Sequence, residues 1–256
     1  MSPRTALITG ASSGIGAAIA RLFAERGWKL ALGARGAERL NEFADSVRAD
    51  SPHVFATTLD VSKSDSVDRF FTASEAALGV ADVIVNNAGG SLPGALHERS
   101  VDGLRCEVEI NLLGPLWVAR RALQGLFERE ISRGDLVFIS SDAATLPRPR
   151  QATYGATKAG IEQLARALAL ELEGTGIRST IVRVGPTGGT DFGARWDAAG
   201  LPALLAYWQR FGLQRDLRSL LAPEDVARAV LCAVDRPAGV HFDLVEVQPR
   251  ASLGEA

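Results

Sequence analysis

A tyrosine and a lysine stand four residues apart in Thr153-Tyr154-Gly155-Ala156-Thr157-Lys158. They open an apolar run, Ile161 to Leu172, that reads as a helix. Four residues is about one helical turn, so the phenol and the ammonium share a face. The chain has only two tyrosines and three lysines, and one of each falls here. Alone, the spacing is weak evidence, because most such pairs are plain helix surface. A second stretch, Thr9-Gly10-Ala11-Ser12-Ser13-Gly14-Ile15-Gly16, spaces its glycines G-x-x-x-G-x-G. Glycines permit a tight turn, let backbone approach a pyrophosphate and let a helix pack close to a strand. The free N–H groups and dipole at the helix start then face the anion. The competing reading, a glycine-rich surface turn, is disfavoured by its place between a first strand and a first helix.

The end of the second strand commonly selects between the two nicotinamide cofactors. An acid there binds the adenosine ribose and repels a 2′-phosphate, whereas a base accommodates it. Leu32-Gly33-Ala34-Arg35-Gly36 has no acid, and Arg35 offers a phosphate a charge-assisted fork. Ser12 and Ser13 can add hydroxyls. The expected cofactor is NADP(H) in preference to NAD(H). Arg39 reads as a solvated helix residue. Asp60-Val61 falls where an adenine contact is expected.

These residues need elements to hold them. Apolar strand-like runs occur at Thr5 to Thr9, Lys29 to Gly33, Val54 to Leu59, Val83 to Val85, Leu136 to Ile139, Ile177 to Val184 and Val240 to Val247. Helical spacing follows Gly14 (closed by Gly27) and recurs over Asn41 to Asp50, Ser64 to Leu78, Ser100 to Arg133, the Tyr154 stretch and Pro223 to Val234. Pro223 suits a first helical turn, and Glu224 and Asp225 suit its positive end. Strands alternate with helices, and the strands are continuous apolar runs, as expected when both faces are covered. The predicted fold is α/β: a doubly wound, Rossmann-like parallel sheet of seven strands with helices on both faces. No linker or repeat divides the chain, so residues 1–256 are expected to form one domain.

Length (256 residues), 46% apolar content, 23% charged residues and a net charge of −2 describe an ordinary globular chain. They give no electrostatic case for nucleic acid or an anionic membrane. No apolar stretch approaches a bilayer span, and Met1-Ser2-Pro3-Arg4 shows no signal-peptide pattern. A cytoplasmic location is expected. Cys106 and Cys232 are read as buried free thiols. His53, His97 and His241 have no metal-ligand spacing.

Taken together, the chain resembles the short-chain dehydrogenase/reductase family over nearly its full length. The resemblance rests on the glycine turn, Asn86-Asn87-Ala88-Gly89 after the fourth strand, Asn111 in the next helix, Ser140-Ser141 after the fifth strand, and Tyr154 with Lys158. Each piece is weak, but their order and their positions at strand ends are highly specific. The resemblance implies hydride transfer between a nicotinamide cofactor and a carbonyl or alcohol carbon. The family's spacing of thirteen residues before the tyrosine selects Ser141. A tyrosine with a pKa of about 10 is a sluggish base. A nearby ammonium favours the phenolate, with an expected lowering of roughly 1–3 units. Tyr154 is thus the expected general acid/base, and Ser141 the expected donor to the substrate oxygen. Ser140 is expected to cap the strand end. The resemblance implies that Lys158 also holds the nicotinamide ribose and that Asn111 joins it to a water relay. It also implies a homo-oligomer, dimer or tetramer, with a small-molecule substrate. Asn86, Asn87, Ala88 and Gly89 are expected to shape the cofactor floor, beside the adenosine ribose.

Two features can be read further. Pro115 has no N–H for the carbonyl of Asn111, so that carbonyl is expected to be free and the helix kinked. After the sixth strand the order is Gly185-Pro186, where the family often has Pro-Gly. Pro186 and Thr190 are still expected at the cofactor, Thr190 near the carboxamide. The segment of about 186–221 carries Phe192, Trp196, Tyr207, Trp208 and Phe211. It reads equally as a mobile substrate lid or as a helix packed on the domain or a subunit. Arg148 and Arg150, between Ser141 and Tyr154, read either as a border of the pocket or as solvent-exposed, with exposure the preferred reading. A catalytically silent dinucleotide-binding sensor or regulator is the alternative function, and an intact set of Ser141, Tyr154 and Lys158 argues against it.

Overall fold

The computed structural model describes residues 4–193, 196, 200–213, 219–237 and 239–250. Seven strands form one parallel sheet: β1 (Thr5–Thr9), β2 (Lys29–Ala34), β3 (Val54–Thr58), β4 (Val83–Asn86), β5 (Gly134–Ser141), β6 (Ile177–Val184) and β7 (Leu244–Val247). Their order is β3-β2-β1-β4-β5-β6-β7. The chain first winds outward from β1 through β2 to β3. It then returns beside β1 and winds the other way, so the order reverses between β1 and β4. In open α/β sheets, ligands bind at the strand C-terminal ends beside such a switch.

Alternate strand residues point to opposite faces, and both faces are covered. Ala6, Ile8, Val83 and Val85 pack with Ile19 and Phe23 of α1 (Gly14–Ala24), Leu40 of α2 (Ala37–Val47) and Val226 and Val230 of α8 (Pro223–Val234). On the other face, Leu7, Ile84, Leu136 and Phe138 pack with Phe70 of α3 (Ser64–Leu78), Leu126 of α5 (Gly114–Glu128) and Ile161 of α6 (Ala152–Glu171). The predicted doubly wound sheet is the fold observed.

At the strand N-terminal ends, Arg4 pairs with Asp82 (2.8 Å) and Asp135 (2.6 Å), and Arg178 pairs with Asp135 (2.9 Å). This network ties the starts of β1, β4, β5 and β6 together at the end opposite the cleft.

Two elements differ from expectation. β7 begins at Leu244, not Val240. The Val240 carbonyl instead accepts from the Arg178 (3.3 Å) and Arg236 (2.9 Å) side chains, so the chain there closes an edge. The long helical region predicted from Ser100 divides into α4 (Val101–Val108), a π-helical turn at Glu109–Leu113 and α5. At its end the Gly114 N–H reaches the Glu109 carbonyl, five residues back. A π turn is one way a helix accommodates a disturbed hydrogen-bond ladder, and here it lies directly before Pro115.

Among the described residues no helix is long and apolar enough to cross a membrane, and no cluster of His, Cys, Asp and Glu could hold a metal. Cys106 and Cys232 are exposed, which corrects the expectation of buried thiols.

Candidate active site

The C-terminal ends of β1 to β6 open into one cleft of about 1170 Å3. Every residue expected at the cofactor except Asn86, which is buried at the end of β4, and Gly16 lines it: Gly10, Ser12, Ser13, Gly14, Ile15, Arg35, Asp60, Val61, Asn87, Ala88, Gly89, Tyr154, Lys158, Pro186 and Thr190. Gly16 lies behind the turn, where its role is packing. A Cβ there would sit 2.3 Å from the Gly10 carbonyl oxygen and 2.6 Å from Asn87 Nδ2.

The turn is held by the residues after β4. Asn87 Nδ2 donates to the Thr9 (2.9 Å) and Gly10 (3.2 Å) carbonyls. Thr9 Oγ1 accepts from the Asn87 and Ala88 amides, both at 3.0 Å. Gly10 (φ +68°) and Gly14 (φ +53°) occupy the left-handed region, where a side chain is strained. Ser13 begins α1 without a side-chain cap on the helix amides, so the positive end of α1 faces the cleft. A close backbone cradle, an uncapped helix start and Arg35 together fit a dinucleotide with an anionic phosphate group. Thr190 packs on Gly14, 3.1 Å from the position of an added Cβ. It therefore faces the glycine turn.

Arg39 is exposed, as expected, and has a partner at the rim of the cleft. It pairs with Asp191 across the cleft, and the Arg39 and Ser13 hydrogen bonds hold the Asp191 carboxyl below its ordinary value. Asp60 is spent locally. Its Oδ1 accepts from the Ser62 amide (3.0 Å) and hydroxyl (2.7 Å).

At the other end of the cleft Ser141, Tyr154 and Lys158 line the wall, and Asn111 lies buried behind Gly89. The fully buried Asn111 side chain exchanges two hydrogen bonds with the Gly90 backbone, at 2.7 and 2.9 Å. A Cβ at Gly89 would lie 3.1 Å from Asn111 Oδ1 and 3.6 Å from Lys158 Nζ, so these groups meet above that glycine. Lys158 Nζ donates to the Ile139 carbonyl (2.8 Å) and lies 5.7 Å from the centroid of the Tyr154 ring. Burial pushes its pKa down to about 8.

The phenol does not behave as expected. Burial pushes the Tyr154 pKa up; the Ser141 hydrogen bond opposes this, Asp142 and Glu107 add to it, and Arg148 opposes it. The expected lowering by Lys158 is overturned. Desolvation of a 7%-exposed tyrosine outweighs an ammonium that is itself directed at a carbonyl.

The serine pair separates because successive strand residues face opposite ways. Ser141 Oγ accepts from the Ala143 amide (3.2 Å) and donates to Asp142 Oδ1 (3.1 Å). Ser140 turns inward and donates to Glu162 Oε1 (3.0 Å). Glu162 in turn pairs with Arg183 (2.7 Å). Ser140 thus anchors α6 to the sheet rather than capping β5.

The family model for short chain dehydrogenase matches residues 4–199. The chain belongs to the short-chain dehydrogenase/reductase family. It is 32% identical, over 95% of its length and 94% of the relative's, to an NADP-dependent 3-hydroxy acid dehydrogenase (YdfG) of Salmonella typhi. Among solved structures it is similar to an alcohol dehydrogenase from the archaeon Thermococcus sibiricus complexed with 5-hydroxy-NADP (TM-score 0.81, 30% identity, covering 96% of this chain and 97% of that one). It is also similar to an actinorhodin polyketide ketoreductase with NADPH (TM-score 0.84, 28% identity, 96% of each chain).

The substrate end has a wall that the sequence suggested only in outline, as an aromatic segment after β6 and two arginines before Tyr154. Asp142 and Arg148 form a buried ion pair there, and Glu107 pairs with Arg99 at 3.1 Å. Arg148 therefore borders the cleft, the less favoured of its two readings, while Arg150 is exposed, as preferred. Phe192 packs on Tyr154 (5.3 Å between centroids), Trp196 on Phe192 (5.7 Å), and Trp208 of α7 (Leu201–Gln209) on Trp196 (6.1 Å). The described part of the 186–221 segment thus packs over the site. Thr187 pairs with Leu221 beneath it. The sequence signals for this wall were the density of aromatic residues after β6 and the arginines between Ser141 and Tyr154.

Proposed function

We propose that this protein is an NADP(H)-dependent oxidoreductase that interconverts a carbonyl compound and its secondary alcohol. The observation that carries this reading is one cleft with a dinucleotide cradle at one end and Ser141, Tyr154, Lys158 and Asn111 gathered at the other. The names of the relatives favour NADP, and the absence of an acid after β2 agrees. When bound, the cofactor supplies or accepts the hydride.

The chain's own residues handle the oxygen and its proton. Ser141 Oγ donates to the substrate oxygen and stabilises charge there. Tyr154 gives that oxygen its proton in reduction and takes it back in oxidation. A phenol kept above its ordinary pKa by burial stays protonated, which suits proton delivery to a nascent alkoxide. The positive Lys158 ammonium offsets charge that develops on the phenolate and orients the ribose. Asn111 fixes the backbone beside Lys158 and continues the proton path. Arg35 receives the 2′-phosphate. Apolar side chains exposed on α5 and α6, Leu116 and Phe127 among them, support assembly as a homo-oligomer.

A panel of carbonyls and alcohols with either cofactor, read by nicotinamide absorbance, tests the reading. Turnover with some of them is expected, and cofactor binding without any turnover defeats it. Tyr154→Phe is expected to lower kcat by about 10²–10⁴-fold with cofactor Kd nearly unchanged. Substantial residual turnover would remove Tyr154 from its role.

A further inference from the structure

Seven side chains close a ring around the substrate end. A polar arc runs from Tyr154 through Ser141 to Asp142 and Arg148. An aromatic arc returns from Arg148 over the Trp208 ring (5.8 Å), then through Trp196 and Phe192 to Tyr154. The two arcs meet at Tyr154 and at Arg148. Arg148 is seated from both sides. Its guanidinium pairs with Asp142 Oδ2, and Trp208 Nε1 donates to the carbonyl of its neighbour Pro149 at 2.7 Å.

The chemistry at Ser141 makes this placement consequential. A serine hydroxyl has one proton. Ser141 points it at Asp142 Oδ1, 3.1 Å away, while the proposed reaction needs it on the substrate oxygen. An unpaired buried carboxylate would outcompete a carbonyl for that proton, since hydrogen bonds to ionised acceptors are the stronger ones. Asp142 is 6% exposed at its side chain and Arg148 7%, so solvent does little to screen either charge.

We propose that Arg148 is a positioning residue. By holding the Asp142 carboxylate it releases the Ser141 proton to the substrate oxygen and balances the negative field on the Tyr154 phenol. This rests on the redox reading above and adds a residue to it. The groups facing the phenol are Ser141, Asp142 and Arg148 after β5, Glu107 of α4 with its partner Arg99, and Lys158 on its own helix. Phe192 faces it from the segment after β6, whose Asp191 is paired with Arg39. Asp142 acts on the serine and on the phenol at once.

The test is a charge cycle at positions 142 and 148. Arg148→Gln is expected to lower kcat for alcohol oxidation at neutral pH about tenfold and to move the rising limb of its pH profile, along which Tyr154 loses its proton, up by about one unit. Cofactor Kd should not change. Adding Asp142→Asn removes the stranded charge, and the double variant should return to within about threefold of the parent. Asp142→Asn alone should move the limb to lower pH. A double variant as slow as Arg148→Gln, or an unmoved pH profile, would mean that Arg148 serves packing only, and the proposal falls. If Arg148→Gln does not fold, the direction of the Asp142→Asn shift decides. The NMR resonances of the labelled Tyr154 ring give a readout without substrate; there are two tyrosines in the chain, told apart by Tyr154→Phe. They should move in opposite directions in the two single variants and return in the double. A parent enzyme that turns over nothing defeats the redox reading, whereas resonances that stay fixed defeat the role of Arg148.

Discussion

Lys158 holds a charge that folding disfavours. Its pKa drops from an ordinary 10.5 to about 8 on burial, so the folded chain gives up a proton that the unfolded chain retains. The sign follows: stability is lowest below pH 8 and rises as pH goes from about 8 toward 10.5. The cost of keeping the ammonium at neutral pH is about 3 kcal/mol. Replacing it with an apolar isostere, Lys158→Met, should raise stability at pH 7 while abolishing turnover. Urea unfolding at pH 7 and pH 9.5 should show the parent gaining about 2 kcal/mol relative to the variant. A parallel pH dependence in both proteins would show that the ammonium is not desolvated. Arg35 is the other residue whose charge decides an outcome. Arg35→Asp should weaken NADPH binding about 10–100-fold, the worth of one hydrogen-bonded charge, and shift preference toward NADH. An unchanged cofactor preference in titration calorimetry would transfer that role elsewhere, with Arg39 the nearest candidate.

At the scale of elements, the glycine turn, β4 and α1 behave as one unit. Asn87 holds the Thr9 and Gly10 carbonyls, and Gly16 lets α1 approach to where a Cβ would overlap the Gly10 oxygen. Gly16→Ala must open that contact. It should cost about 1–3 kcal/mol, seen as a lowered Tm, and raise the NADPH Kd because the cradle moves with α1. A variant with a lower Tm and an unchanged Kd would separate the packing from the binding. The π turn at Glu109–Leu113 is a second such unit. It carries Asn111 into the core, where its amide pairs with Gly90. Pro115 was legible in the sequence as a break in the ladder. The form of the break was not, because a kink and a π turn both relieve the same missing N–H.

Across the whole molecule, stability and chemistry lie at opposite ends of the sheet. The Arg4, Asp82, Asp135 and Arg178 network joins the strand starts, and the cleft lies at the strand ends. The face of α5 and α6 that carries Leu116 and Phe127 serves neither end. Phe127 is 51% exposed there, beside Leu123, Leu164 and Leu168. Apolar patches of this kind mark contacts between chains. Phe127→Glu should shift the mass in sedimentation velocity toward a single chain with the folded state intact. A parent protein already at the mass of one chain would end the oligomer proposal.

The sequence alone determined what repeats locally. Apolar runs and helical spacing specify strands and helices. Glycine at positions 10, 14 and 16, Arg35 after β2, and a tyrosine one turn before a lysine specify a dinucleotide end and a candidate acid/base. Those features depend on residue type and short spacing, which a linear reading can see. Tertiary structure decided what burial and distant neighbours control. It raised the Tyr154 phenol, which sequence reading had expected to be lowered. It turned Ser140 to Glu162 and Ser141 to the cleft, and it brought Arg148 to Asp142 beneath Trp208. A side chain's charge and proton depend on the solvent excluded from it and on the groups that reach it. Both are supplied by segments far apart in the chain, here β5, α4, α6 and α7, which meet only once the sheet has formed.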